Sequence, residues 1–242
     1  MTYNDKEYNR ILQLLLTSPA ESKQDTPYEL LSANCIFDTK NIISGSSSKY
    51  IQQEIAWYES QNRNIHGYDC IEKNPIWQSC STEDGNINSN YGWCVFSKEN
   101  NNQYEHCLQH LRKNKYSRQA VIIYTRPNIH IEYCDNIHAK KDMLCTAYTN
   151  ALIRNDMLNL VINMRSNDVW YGLRYDLAWQ QYVLNNLLFD LKSTYPELQP
   201  GLIYWHADSL HIYPHELEQA KKWLRNYVTD TLKEKTLDEV LC

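Results

Sequence analysis

Apolar positions along the chain switch from helical spacing to alternation and back, and the switches mark out its elements. From Tyr8 to Leu16, Ile11, Leu12 and Leu15 recur at helical spacing, which predicts an N-terminal helix ended by Thr17-Ser18-Pro19. Glu21 to Ser48 is polar and rich in Ser, with Gly45 inside SGSSS, and reads as loops around a short strand. A second helix is expected from about Tyr50 to Ser60, with Ile51, Ile55 and Tyr58 on one face. Glu54 sits one turn from both Ile51 and Tyr58, beside that stripe. Gln61 to Asn101 reads as loop-rich, and a third helix fits Gln103 to Lys113.

Strand-like runs then follow: AVIIYT (Ala120 to Thr125), IHIEY (Ile129 to Tyr133), LCTAYTNALI (Leu144 to Ile153) and LNLVINM (Leu158 to Met164). The last two flank Arg154-Asn155-Asp156, a short polar connection suited to a hairpin. In LNLVINM, Leu158, Leu160, Ile162 and Met164 share one face, while Asn159, Val161, Asn163 and Arg165 share the other. A long helix is expected from about Tyr175 to Lys192, then a strand at IYWHA (Ile203 to Ala207) and a last amphipathic helix at HELEQAKKWLRNYV. No repeat or low-complexity linker interrupts this order. Helices first and hairpin strands afterwards predict a single α+β domain spanning residues 1–242.

Composition narrows the class. The 242 residues carry a formal net charge of -5, which argues against a general nucleic-acid binder with a clustered basic face. No apolar run approaches the roughly 20 residues of a membrane helix. MTYNDKEYNR lacks the basic-then-apolar order of a signal peptide, so a soluble, cytoplasmic protein is expected. The eight cysteines are scattered with no CxxC pair, and reduced thiols are the better reading than a disulfide scaffold. Nineteen tyrosines and seven tryptophans against three phenylalanines supply aromatic bulk with polar handles, suited to lining a site.

One boundary asks for a chemical reason. The apolar strand LNLVINM ends in Arg165-Ser166-Asn167-Asp168, a burst of charge where a simple turn would serve. Arg118 and Arg165 lie at strand ends, and guanidinium forks suit phosphate, although a lone arginine there is usually just solvated. Cys145 follows Lys140-Lys141-Asp142, and nearby cations lower a thiol pKa; position alone does not set it above Cys70 or Cys94. Glu54 lies at a core boundary, where desolvation raises a carboxyl pKa. His106-Cys107-His110 and His130-Cys134-His138 have metal-ligand residue types but poor spacing, and no metal is expected. His211 and Tyr213 share a face if extended, which leaves packing and binding both open.

The combination and its order are more specific than any member. YIQQEIAWY, INSNYGW, IIYTRP and NMRSNDVWYGLRYDLAWQQYVL, from about Lys49 to the last helix, resemble the thymidylate synthase family. Within it they resemble the bacteriophage branch that hydroxymethylates deoxycytidylate. The resemblance implies a mixed β-sheet packed by helices, with one sheet face forming a homodimer interface. It implies that Cys145 adds to C6 of the pyrimidine and so activates C5 toward 5,10-methylenetetrahydrofolate. Water then adds to the exocyclic methylene where a synthase would deliver hydride. Glu54 matches the carboxylate that organises water and proton transfers, and Tyr91 the residue near the C5 proton. Arg165 and Ser166 match the grip on the 5′-phosphate, and His211 and Tyr213 the contacts to the sugar 3′-hydroxyl. Trp77, Asp168, Gly172 and Tyr175 fall on the folate side.

Asp176 is the most informative match. Synthases carry Asn there, whose amide serves uracil O4 and N3–H; a carboxyl suits cytosine, which donates from N4 and accepts at N3. A helix N-terminal Asp that stabilises the dipole is the structural alternative. Two departures stand out. The family usually has two arginines where this chain reads Arg118-Gln119, residues that reach across the dimer to the partner's phosphate. Thr146 replaces the His that follows the nucleophile in synthases, as in the hydroxymethylating branch. The resemblance therefore implies dCMP 5-hydroxymethylation in a homodimer, for modified phage DNA. The rivals are the same chemistry on CMP or dUMP, or a catalytically silent nucleotide-binding protein.

Overall fold

The computed structural model describes residues 2–17, 28–134 and 141–227. The expectations for Ser18-Pro19, Glu21 onward to residue 27, His138, Lys140 and the end of the last helix fall outside these residues. Helix α1 (Tyr3–Thr17) buries Tyr8, Ile11, Leu12 and Leu15, the stripe its spacing predicts. Strand β1 (Tyr28–Asp38) is longer than the short strand expected. Its alternation is broken at Ser32, whose φ of 54° leaves the extended region, so the sequence period is not clean.

Helix α2 (Ser48–Glu59) is capped by the Ser47 side chain, which accepts from the Tyr50 amide. Its fully buried face is Glu54, Trp57 and Tyr58; Ile51 and Ile55 are only half-buried. The loop-rich stretch after it contains three short helices, α3 (Asp69–Glu72), α4 (Pro75–Cys80) and α5 (Tyr91–Phe96). Asn74 and Asn90 cap the second and third of these through side-chain oxygens. Gly92 is required where α5 meets α2, because a Cβ there would overlap the carbonyl of Tyr58. Helix α6 (Gln103–Lys113) and strand β2 (Val121–Ile123) follow.

IHIEY is a correction. It forms helix α7 (Ile129–Cys134), not a strand. Its alternation of Ile129, Ile131 and Tyr133 imitates a strand, yet Ile129 is buried and Ile131 exposed on a helical turn. An ion pair from Arg126 to Glu132, six residues on, ties that turn down. This pairing is local but polar, and apolar periodicity does not report it.

Strands β3 (Thr146–Arg154) and β4 (Met157–Met164) form the expected hairpin. Asn155 and Asp156 both take positive φ, 52° and 56°, as a tight two-residue turn demands. The two-residue β5 (Asn167–Asp168) precedes helix α8 (Gly172–Leu191) and the long β6 (Gln199–Ile212). A last helix spans 217–227. The sheet order is β1-β6-β4-β3-β2, with β5 pairing β6. β6 runs parallel to β4 and antiparallel to β1, so the sheet is mixed.

One face of this sheet is core. Ile122, Thr149, Ile162, Trp205 and Cys35 lie side by side across five strands, all buried under α8 and its neighbours. On the opposite face Ile123, Tyr148 and Tyr204 are 53 %, 41 % and 41 % exposed, an apolar and aromatic surface that no described element of this chain covers. Replacing Ile162 by Ala should cost about 2–5 kcal/mol, read as a lower denaturant midpoint at unchanged slope. A loss below about 1 kcal/mol would mean the inner face is loosely packed.

Candidate active site

The candidate site gathers where β4 ends beside the start of β3. The backbone N–H of Arg165 donates to the carbonyl of Cys145 at 2.9 Å, so the strand pairing sets the two residues side by side. Arg165 donates from Nε to the Leu144 carbonyl and from Nη2 to the Met143 carbonyl, and Nη2 lies 3.7 Å from Cys145 Sγ. Burial pushes the Cys145 thiol up to about 12, and only the Arg165 charge opposes it, while Asp176 and Asp142 reinforce it. At neutral pH the nucleophile candidate is therefore stored as a thiol.

The approach to Cys145 is held by a residue to which the sequence assigns no role. The buried Asp142 carboxylate accepts from the Asn88 and Ser89 amides and from the Ser89 hydroxyl. Asn88 returns a bond to the Asp142 carbonyl at 2.8 Å. This clamp joins the Cys145 segment to the loop that begins α5, whose first residue is Tyr91. Tyr91 is buried, its ring 5.4 Å from Tyr58 and 5.1 Å from Tyr124, and its hydroxyl pKa is raised by burial and by nearby Asp176. An Asp three residues before a candidate nucleophile is the only sequence signal for Asp142.

Two buried carboxyls lie within electrostatic reach of one another. Glu54, 6 % exposed on α2, is pushed up to about 8 by burial, with Asp176 adding to the shift and a hydrogen bond from Tyr50 opposing it. Tyr50 Oη donates to Glu54 at 2.9 Å. Asp176 lies one turn into α8, where burial pushes its carboxyl up to about 7 against a bond from Asn167. Asn167 Nδ2 donates to Asp176 Oδ2 at 2.8 Å. Tyr50 and Asn167 are thus functional candidates that the sequence motifs contain without marking.

Outward from Glu54 runs an aromatic wall. Trp77 Nε1 donates to Tyr50 Oη at 2.8 Å, and the Tyr50 and Tyr175 ring centroids are 4.6 Å apart. Asp168 caps α8 by accepting from the amides of Trp170, Tyr171 and Gly172. Gly172 sits against this group, and a Cβ there would lie 3.2 Å from Asn167 Nδ2. Asp168 also meets buried Glu216, whose carboxyl is pushed up to about 7 by burial and by the Asp168 charge. β5 pairs Asp168 with His211 on β6, and His211 packs edge-on against Tyr213 at 5.0 Å. Ser166 lies half-buried between Arg165 and Asn167.

Cys145, Glu54, Tyr91, Asp176, Arg165, Ser166, Asp168, Gly172, Tyr175, Trp77, His211 and Tyr213 therefore border one region. Arg118 and Gln119 do not. They are exposed just before β2, and their loop is tied to the β3–β4 turn by an ion pair from Lys115 to Asp156. The carbonyl of Ala120 meets the amide of Ala151, so Arg118 lies toward the Arg154 end of β3. At about 3.3 Å per residue, that end is roughly 25 Å from Cys145.

Comparison with known proteins settles the lineage. The thymidylate synthase family model matches residues 25–238. The chain belongs to the thymidylate synthase family. It is 39 % identical over 210 residues to a deoxycytidylate 5-hydroxymethyltransferase of Enterobacteria phage T6, covering 85 % of this chain and 83 % of that protein. The phage T4 protein of the same name is 38 % identical over the same shares. A thymidylate synthase of Francisella philomiragia is 26 % identical over 76 % of this chain and 68 % of its own. Thermostable thymidylate synthase A from Bacillus subtilis shares the fold, with a TM-score of 0.67 at 19 % identity, covering 92 % of this chain and 84 % of that one. No helix among the described residues is long and apolar enough to cross a membrane.

The raised carboxyls of this family member carry a stability cost with a definite sign. An acid whose folded pKa exceeds its unfolded value binds more protons when folded, so its contribution weakens as pH rises between the two values. For Glu54 that window runs from about 4.5 to about 8. Wild-type stability should fall by about 3 kcal/mol between pH 5 and pH 8 on this account. Glu54→Gln should lose that part of the slope in denaturant titrations; equal slopes would mean Glu54 ionises freely.

Proposed function

We propose that this enzyme converts dCMP, 5,10-methylenetetrahydrofolate and water to 5-hydroxymethyl-dCMP and tetrahydrofolate. The single observation that carries the choice of base is Asp176, a carboxyl held beside Glu54 in the cleft that Cys145 borders. Cytosine donates from N4 and accepts at N3, and a carboxyl that holds a proton near neutrality can answer both. An amide there would answer uracil instead. CMP is the second reading, because His211 and Tyr213 offer a contact that either sugar satisfies.

Cys145 is the nucleophile of this reading. Its thiol loses a proton as the bond to C6 forms, and Arg165 is the cation beside the sulfur during that change. Arg165 and Ser166 hold the 5′-phosphate at the end of β4, which explains why an apolar strand finishes in charge. Glu54 positions water and moves protons at its carboxyl, tuned close to working pH by burial. Tyr91 stands near C5, buried between Tyr58 and Tyr124.

The folate side fits the residues present. Tyr50, Tyr175 and Trp77 make a half-buried aromatic wall continuous with Glu54, suited to a flat heteroaromatic ring. Asp168 and Gly172 border its inner end. When bound, 5,10-methylenetetrahydrofolate supplies the one-carbon unit at the aldehyde oxidation level. The place of action is the cytoplasm, that of an infected bacterium if the protein is phage-encoded, where the product would feed modified DNA.

The enzyme acts as a homodimer in this reading, and Arg118 supports it. An arginine side chain cannot bridge roughly 25 Å to its own chain's Cys145. The uncovered sheet face with Ile123, Tyr148 and Tyr204 offers the contact through which Arg118 reaches a partner's phosphate. Gln119 brings a neutral side chain to the same place.

Mass spectrometry of dCMP, dUMP and CMP incubated separately tests the reaction. A gain of about 30 mass units on dCMP, without dihydrofolate, is expected. Asp176→Asn should lower kcat/KM for dCMP roughly tenfold or more and shift preference toward dUMP. A methylated product with dihydrofolate would overturn the hydroxymethyl assignment.

Complementation tests the dimer. Cys145→Ala and Arg118→Ala homodimers should each be nearly inactive. In a mixed dimer both defects fall in one site and the other is whole, so random exchange should restore roughly a quarter of wild-type activity. No recovery, with exchange shown by differently tagged subunits, would remove Arg118 from the partner's site.

A further inference from the structure

We propose that Asn167 is a positioning residue that decides which oxygen of Asp176 carries the proton, and so which pyrimidine edge the acid can pair with. The inference rests on the dCMP reading above.

Asn167 is 2 % exposed on β5, and its Nδ2 donates to Asp176 Oδ2 at 2.8 Å. Its own Oδ1 is buried without a hydrogen-bond partner. A buried acceptor left unpaired costs about 1–3 kcal/mol, so the amide is not oriented for its own satisfaction. What the orientation secures is one donor aimed at one oxygen of Asp176. Gly172 leaves the space for it, since a Cβ there would lie 3.2 Å from Asn167 Nδ2 and 3.5 Å from Asp176 Oδ2.

The consequence is directional. An oxygen that already accepts an N–H is a poor place for a proton, so the acid form of Asp176 carries its proton on Oδ1. The dCMP reading requires the pose in which position 4 of the base faces Oδ2, and that pose is part of this proposal. Protonated Oδ1 then donates to cytosine N3, while Oδ2 uses its second lone pair to accept from N4. Uracil needs the opposite arrangement, a donor toward O4 and an acceptor toward N3–H. That would put the proton on Oδ2, against the Asn167 N–H. A bare carboxylic acid could serve either base by moving its proton; Asn167 removes the choice.

The charged and titratable groups around Asp176 are Glu54 and Tyr58 from α2, Tyr91 from α5, Cys145 ahead of β3 and Asp168 from β5. They stay in place when only position 167 is changed. Losing the Asn167 donor removes a bond that favours the carboxylate, so the Asp176 pKa should rise.

The test uses the full-length enzyme with Asn167→Ala and the near-isosteric Asn167→Asp, each checked for folding by thermal melt. Product formation from dCMP and dUMP is followed from pH 5.5 to 9, and Asp176 is titrated through its 13C carboxyl signal, the one missing in Asp176→Asn. In both variants the dCMP-over-dUMP preference should fall about tenfold. The alkaline limb of kcat/KM for dCMP and the Asp176 titration should both move up by about one pH unit. If Asn167→Ala does not fold, Asn167→Asp carries the test. An equal drop for both substrates with unmoved limb and titration would reduce Asn167 to a packing residue and overturn the proposal. Wild-type enzyme that leaves dCMP unmodified would instead overturn the functional reading, while the carboxyl titration still decides whether Asn167 governs the Asp176 proton.

Discussion

Two carboxyls, Glu54 and Asp176, are buried within reach of each other's charge, and much of the local architecture holds that arrangement. Burial raises the cost of ionising both Glu54 and Asp176, with the Asp176 charge adding to it at Glu54 and the Asp168 charge at Asp176, so neither keeps an ordinary acidity. Each has one side-chain donor, Tyr50 for Glu54 and Asn167 for Asp176, and each donor is itself held by a second contact. Trp77 and Asn74 bond the Tyr50 hydroxyl, and Gly172 makes room for the Asn167 amide. Without Gly92, α5 could not approach α2 closely enough to bring Tyr91 to the same cleft.

The Cys145 side follows a different logic. Cys145 and Arg165 are neighbours because an antiparallel ladder makes the start of one strand meet the end of the next. Their adjacency is backbone geometry, and the Arg165 side chain is then turned toward the sulfur by its bonds to the Leu144 and Met143 carbonyls. The Asp142 clamp then fixes the segment leading into β3 against the Asn88–Ser89 loop. Arg118 lies in the loop before β2, beside the other end of β3 and away from Cys145.

Legibility in the sequence tracked the range of the interactions concerned. The β3–β4 hairpin, α6 and the inward face of β4 depend on local period and turn chemistry, and their positions agree with the structure. β1 was only partly legible, because Ser32 interrupts its alternation. The strand reading of IHIEY failed because the apolar alternation belongs to a helical turn tied by Arg126 and Glu132. On α2 the apolar residues Ile51 and Ile55 suggested the buried face, yet Glu54 lies deeper than either, bonded to Tyr50 on its own helix and within reach of the Asp176 charge on α8.

By itself the sequence determined the family, the order of most elements and the identities of the chemical groups. Those follow from residue types at short spacings, where each side chain's chemistry is intrinsic. Only the tertiary structure decided their state. Cys145 is a high-pKa thiol, Glu54 and Asp176 are acids near neutrality, and Asn167 points its donor at one carboxyl oxygen, leaving its own oxygen unpaired. Burial and contacts between different elements set those properties, and no local pattern encodes a dielectric environment.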